Sequence, residues 1–292
     1  MKKFMFFIAA AVSLAAVGCS KDDAAPEQVQ YVSELTLKFE GDTRVSGSHD
    51  ATKGFSFEWG DGNIINIYEI GTANYLQYKY DAVSGTFKPD EDVDSDKMEV
   101  GNQYFAGCSN VIPYSSVEDG KTVIEMGMSW EIENIPLISD VFTADVAGTV
   151  ATMHHLAGVV EIPVKLSNDA NISKVDEFEL SVAGNYLTCD GFTATPEAPY
   201  IKSITDNGSY TATSHKTDIT LNKESSTSIF FVVLPGTYTN VELKYYYTKP
   251  GDVNTDATIE LGAGKTLVVE RGKITKLPEV EVKPYFPMGG GK

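Results

Sequence analysis

The feature that most narrows the fold of this chain is an alternation of apolar and polar residues with a period of two. Leu35, Leu37 and Phe39 alternate with Thr36 and Lys38. Phe55, Phe57 and Trp59 alternate with Ser56 and Glu58, and Phe178, Leu180 and Val182 alternate with Glu177, Glu179 and Ser181. Successive side chains of an extended strand point to opposite faces, so each pattern presents one apolar face to a core. Ile229 to Leu234 and Val241 to Tyr247 are denser apolar runs, of the kind expected of central strands. Turn formers interrupt these runs at short intervals, among them Gly60-Asp61-Gly62-Asn63, Asp119-Gly120, Asp190-Gly191, Asn207-Gly208 and Pro235-Gly236. No segment carries an apolar stripe with helical spacing over three turns. Short strands separated by frequent turns predict an all-β protein built from sandwiches.

The N-terminus reads differently. Met1-Lys2-Lys3 is a short basic stretch, and Phe4 to Val17 is uncharged and apolar but too short to span a bilayer comfortably. Residues 1–18 are therefore expected to be a secretory signal peptide. The run ends in Ala15-Ala16-Val17-Gly18-Cys19, small residues followed by a thiol, as a lipoprotein signal peptidase requires. Cys19 is the expected lipid-attachment residue, and more than one acyl chain suffices for stable anchoring at an outer membrane or cell surface. Residues 19–30, with Pro26 and few apolar residues, read as a flexible lipidated tether. Ser20-Lys21-Asp22-Asp23 resembles the short acidic export signals of surface lipoproteins.

Loss of the signal removes Lys2 and Lys3, leaving 21 basic against 41 acidic residues and a formal charge of −20. That charge disfavours nucleic acid and bare anionic membrane as partners. Asp140 to Thr149 lacks strong strand character and contains Gly148, which places a break near 148. The expected division is an N-terminal domain over 31–147 and a C-terminal domain over 148–292. With Cys19 acylated, Cys108 and Cys189 remain, on either side of that break, and are expected to be buried free thiols.

No catalytic constellation emerges. Gly262-Ala263-Gly264-Lys265-Thr266 looks like a phosphate loop, but the pattern needs a glycine where Ile259 stands, so a hairpin turn with Thr266 to Val269 as return strand is expected. Asp90, Asp92, Asp94 and Asp96 alternate as oxygen ligands could, yet the glycine of a calcium loop is missing and Lys97 adjoins, which favours a solvated acidic loop. His154 and His155 are neighbours and would face opposite sides of a strand, so they cannot share a metal. Ser48, His49 and Asp50 are consecutive, whereas triad members converge from distant positions. No metal, organic cofactor or enzymatic activity is expected.

Several segments together resemble the fimbrillin family of type V pilus subunits. They are Leu35-Thr36-Leu37-Lys38-Phe39 through Asp42-Thr43-Arg44; Phe57 to Tyr68, containing Trp59-Gly60-Asp61; Met153-His154-His155-Leu156-Ala157-Gly158 through Ile162; and Phe230 to Tyr238, containing Leu234-Pro235-Gly236-Thr237-Tyr238. Gly272-Lys273-Ile274-Thr275 is similar to a motif near family C-termini, with Thr275 replacing an aromatic residue. The resemblance covers most of 31–283. It implies two transthyretin-like β-sandwich domains in tandem, lipoprotein export, proteolytic removal of an N-terminal strand, and partners that are other fimbrial subunits filling the vacated groove by strand addition. Arg44 stands among the turn formers Gly41, Asp42, Ser46, Gly47 and Ser48, so the Arg44–Val45 bond is the expected processing site. A possible donor strand lies at 279–283, where Glu279-Val280-Glu281-Val282-Lys283 alternates. Two roles follow: a structural subunit or adhesin of a surface fimbria, or a monomeric surface-anchored lipoprotein that binds glycans or host ligands.

Overall fold

A computed structural model describes residues 29–40, 59–109, 114–129, 131–214, 216–249, 253–261 and 265–284. Apart from two short 3-10 turns, its regular elements are all strands, as the alternation predicts. In the first half, strands pair in the order Leu137–Ser139, Thr149–His155, Leu35–Phe39, Thr86–Pro89, Tyr75–Asp81, Ile64–Glu69 and Gln103–Cys108. Gln103–Cys108 also pairs with Leu137–Ser139, so this sheet closes on itself. Its interior holds Leu35, Leu37, Ile65, Ile67, Tyr78, Phe87, Leu137 and Met153. Every pairing around the ring is antiparallel except one: Leu35–Phe39 runs parallel to Thr149–His155 over five residue pairs.

The second half packs two sheets face to face. In one, Gly158–Leu166 pairs antiparallel with Thr227–Val233 and, along its other side, parallel with Ile274–Lys276 and then Val280–Val282. The facing sheet contains Thr211–Thr213, Glu177–Ala183, Gly236–Lys249 and Val253–Glu260 in that order. Val160, Ile162 and Val164 interdigitate with Phe178, Leu180, Leu243 and Tyr245 to form the core. Phe178, Leu180 and Val182 turn inward and their polar neighbours outward, as the period-two pattern requires.

A third sheet joins the halves. Tyr114–Glu118 and Lys121–Gly127 come from the first half, and Gly191–Ala194 and Ile201–Asp206 from the second. Asp119 and Gly120 both take positive φ, 51° and 75°, which matches the two-residue turn that suits the twist of a hairpin. The sheet's apolar face, with Ile124, Met126 and Phe192, covers Tyr68 and Phe105 on the outside of the closed sheet. Pairing passes from the first sheet to the second at Leu156 and Ala157: Thr149–His155, just past the expected break near 148, still lies in the first sheet.

Two sequence readings need correction. Val253–Glu260 and Leu267–Val269 do not pair with each other as a hairpin; both lie antiparallel to the long strand Gly236–Lys249, one after the other along it. Thr227–Val233 is an edge strand and not a central one. It is apolar on both faces because Ile229, Phe231 and Val233 face the sandwich core while Val232 faces a second cluster with Ile132 and Ile135.

Gly158 is fixed by close approach. A Cβ there would strike the Val269 side chain and lie 2.5 Å from the Glu270 carbonyl oxygen. Gly158→Ala is expected to destabilise the protein by about 1–3 kcal/mol, read from the urea midpoint at unchanged slope.

Candidate functional site

The strand Leu35–Phe39 is inserted into the first sheet asymmetrically. Its whole length pairs with Thr149–His155, whereas on the other side, among the described residues, only Leu35 is paired, with Phe87. Leu35 and Leu37 are buried in the interior. Phe39 stacks on Trp59 at a centroid separation of 5.4 Å and on His155 at 5.9 Å, and Trp59 sets its edge against Phe87.

At the end of this strand stands a polar cluster drawn from five separate places in the chain. The Glu40 backbone N–H donates to the Met153 carbonyl at 3.0 Å. The Glu40 carboxylate lies 2.6 Å from His154 Nδ1 and accepts from Arg271 Nη2 at 3.0 Å. His154 Nε2 lies 2.8 Å from Asp140 Oδ1. The Arg271 guanidinium sits over the Tyr200 ring at 4.4 Å, and Tyr200 packs beside His154. Tyr200 holds a left-handed backbone, φ 66°, which is unusual for a bulky residue. The hydrogen bond from His154 holds the Glu40 carboxyl below the usual carboxylate range, with Arg271 acting in the same direction. Burial, reinforced by the Arg271 charge, lowers His155 to about 4.

His154 and His155 do face opposite ways, one toward the carboxylates and the other toward Phe39. Among the described residues no group of three His, Cys, Asp or Glu side chains is arranged to hold a metal ion. In the acidic loop, Lys79 Nζ lies 2.6 Å from Asp92 and 3.9 Å from Asp90, while Asp90 caps the short 3-10 turn Glu91–Val93 by accepting from the Asp92 N–H. Cys108 and Cys189 are free thiols, Cys189 buried and Cys108 half-buried. Cys19, Arg44 and Val45 lie outside the described residues. No local pattern in the sequence links Glu40, Asp140, Tyr200 and Arg271.

The 279–283 segment is docked within its own chain. Val280 and Val282 pair in register with Val164 and Leu166, and Val282 is buried. Lys165 Nζ bridges Glu279 at 2.8 Å and Glu281 at 3.2 Å. Lys276 reaches the buried Glu161 at 2.9 Å, which also accepts from the Ser228 hydroxyl. The Lys283 backbone N–H donates to the Tyr245 hydroxyl at 3.1 Å.

No protein-family model matches the sequence, and no curated protein matches it. Solved structures do resemble it. A candidate cell adhesion protein of Bacteroides uniformis superposes with a TM-score of 0.51 at 13% identity, over 89% of this chain and 94% of that one. A candidate cell adhesion protein of Bacteroides ovatus gives 0.53 at 14% identity, over 87% and 93%. At these identities the likeness establishes a shared all-β fold, and function has to be argued from the molecule.

Proposed function

We propose that the chain is a surface-displayed adhesin or fimbrial subunit, exported as a lipoprotein through Cys19 and activated by cleavage between Arg44 and Val45. The observation that carries this reading is the seating of Leu35–Phe39. This strand fills a slot in a closed sheet, is paired along its whole length with Thr149–His155 but among the described residues only at Leu35 on the other side, and runs directly into the segment that holds Arg44. Cutting there would free the lipid, the tether and this strand from the body. Losing the burial of Leu35 and Leu37 would cost about 3–6 kcal/mol, so the slot would favour a replacement strand of similar alternation. The likeness in fold to candidate adhesion proteins supports a surface role.

The docked C-terminal segment favours a particular place in such an assembly. A donor strand at 279–283 would first have to leave Val164 and Leu166 and break the ion pairs of Glu279 and Glu281 with Lys165 and of Lys283 with Asp169. A subunit of this build accepts a strand more readily than it donates one, which suits a terminal or anchoring subunit. The same feature favours the second reading, a monomeric lipid-anchored binding protein.

An Arg-specific protease applied to purified residues 20–292 tests the proposal. The expected result is one early cut, with Val45 as the new N-terminus, followed by assembly when a strand-donating subunit is added. Resistance at Arg44, or a cut protein that stays monomeric with every donor, would leave the binding-protein reading. Cys19→Ala is expected to abolish labelling by an alkyne fatty acid in cells; equal labelling of the two proteins would remove the lipid anchor from either reading.

A further inference from the structure

We propose that a cleft beside the strand Tyr31–Val32 binds neutral oligosaccharide. The cleft has a volume of about 960 Å³, at the upper end of the range of small-molecule sites. One wall is Tyr31, whose strand pairs with Met98–Glu99. Asn74 and Tyr75, where a turn runs into the strand Tyr75–Asp81, also line it. Tyr31 and Tyr75 are 52% and 45% exposed, so each offers ring surface to solvent although both border a concavity. Glu69, Glu99 and Asp96 add carboxylates, and among the described residues Lys97 is the one cation of the lining.

This composition selects the ligand class. Tyrosine rings offer apolar faces with a polar tip, which suit the C–H faces of a pyranose. Carboxylate and amide oxygens accept hydrogen bonds, and a saccharide is dense in hydroxyl donors. A sialylated or sulfated glycan would instead meet a lining with more carboxylates than cations, on a chain whose mature form carries a formal charge of −20.

The walls are held in place more firmly than a surface turn needs. The Gly71 N–H donates to Thr122 Oγ1 at 2.8 Å, the Thr122 hydroxyl contacts the Thr72 carbonyl at 3.0 Å, and the Ser115 hydroxyl donates to the Ala73 carbonyl at 2.7 Å. These bonds fasten the turn before Tyr75 to the neighbouring hairpin. Glu69 Oε1 accepts from Asn102 Nδ2 at 2.8 Å, and the buried Tyr104 accepts the Glu99 N–H at 2.9 Å. Rings and acceptors set beforehand lose little freedom on binding, which is how a shallow site reaches useful affinity.

The proposal stands on the uncut chain and does not need the processing described above. If that processing occurs, Tyr31 leaves with the strand Leu35–Phe39 and the cleft loses a wall, so cleavage would switch glycan binding off.

The test is an array of neutral oligosaccharides ending in galactose, glucose or N-acetylhexosamine, printed beside sialylated and sulfated glycans and coated peptides, and probed with uncut residues 20–292. Binding to at least one neutral glycan is expected. It should fall by about tenfold or more in Tyr31→Ala and in Tyr75→Ala, as for an aromatic anchor, and persist in Tyr75→Phe. Asn74→Ala, at an exposed position, should weaken binding without altering the melting temperature. Binding to no neutral glycan, preference for the anionic glycans or the peptides, or equal binding by the alanine variants would overturn the proposal. A failed Arg44 cut leaves all these outcomes readable, because none uses the cleaved protein.

Discussion

Leu35→Asp is expected to unfold the first half of the molecule. Leu35 is fully buried and, among the described residues, is the one of its strand paired on both sides, with Thr149 and with Phe87. Truncating a buried leucine costs about 2–5 kcal/mol through lost transfer energy and the cavity left behind. A carboxylate in the same space adds the penalty of burying an unpartnered polar group or charge. The sum exceeds about 5 kcal/mol, which is comparable to the whole stability of an ordinary domain. Lys38→Ala, at the exposed position of the same strand, should change stability by less than about 0.5 kcal/mol. Urea denaturation of both variants decides the matter. Similar midpoints would mean that the strand contributes little to the sheet, and a removable N-terminal strand would then need no replacement. A synthetic peptide of residues 31–40 should also rescue a chain cut at Arg44, in a register that returns Leu35 to Phe87.

Acidification should weaken the fold over a defined window. The buried His155 has its folded pKa lowered from 6.5 to about 4, first by burial and then by the Arg271 charge. Between those values the unfolded chain binds a proton that the folded chain does not, so stability falls as pH drops from 6.5 toward 4 and this contribution is level below that. At about 1.4 kcal/mol per pH unit the loss is about 3 kcal/mol. Glu40 acts further down: its folded carboxyl is held low by His154, so its stabilisation is present above the ordinary carboxylate range and disappears as pH falls through the folded value. Glu40 is 57% exposed, and solvent screens that contribution. His155→Phe keeps the stack on Phe39 and removes the titration. Its urea midpoint should therefore stay nearly flat from pH 6.5 to 4.5 while that of the parent declines. Parallel curves would show that His155 is not the titrating group.

What was legible in the sequence was local. The inward set Phe178, Leu180 and Val182 follows from alternation, and the hairpin at Asp119-Gly120 follows from turn chemistry. The opposed faces of His154 and His155 follow from the pleat. What was not legible depends on partners far away in the chain. Nothing in Leu35 to Phe39 states that its neighbour is Thr149–His155, or that the two run parallel and close a sheet. The dense run at Ile229 to Leu234 looked central because density reports burial on two faces, and an edge strand between two apolar clusters meets that condition as well. The Glu40 cluster gathers one or two residues from each of five places, and single charged residues carry no signal of convergence.

The sheet that joins the halves also sets an order of events during folding. Lys121–Gly127 has its hairpin partner at once, but its other neighbour, Gly191–Ala194, is made only after Gly158–Leu166 and Glu177–Ala183 of the second half have been synthesised. Until then Ile124 and Met126 lack Phe192, and the outer faces of Tyr68 and Phe105 are only partly covered. A chain emerging from its N-terminus therefore cannot finish one half and then begin the other. The first half would remain sticky until the hairpin Gly191–Ala194 and Ile201–Asp206 arrives, so a fragment ending near residue 156 should aggregate rather than behave as a free-standing domain.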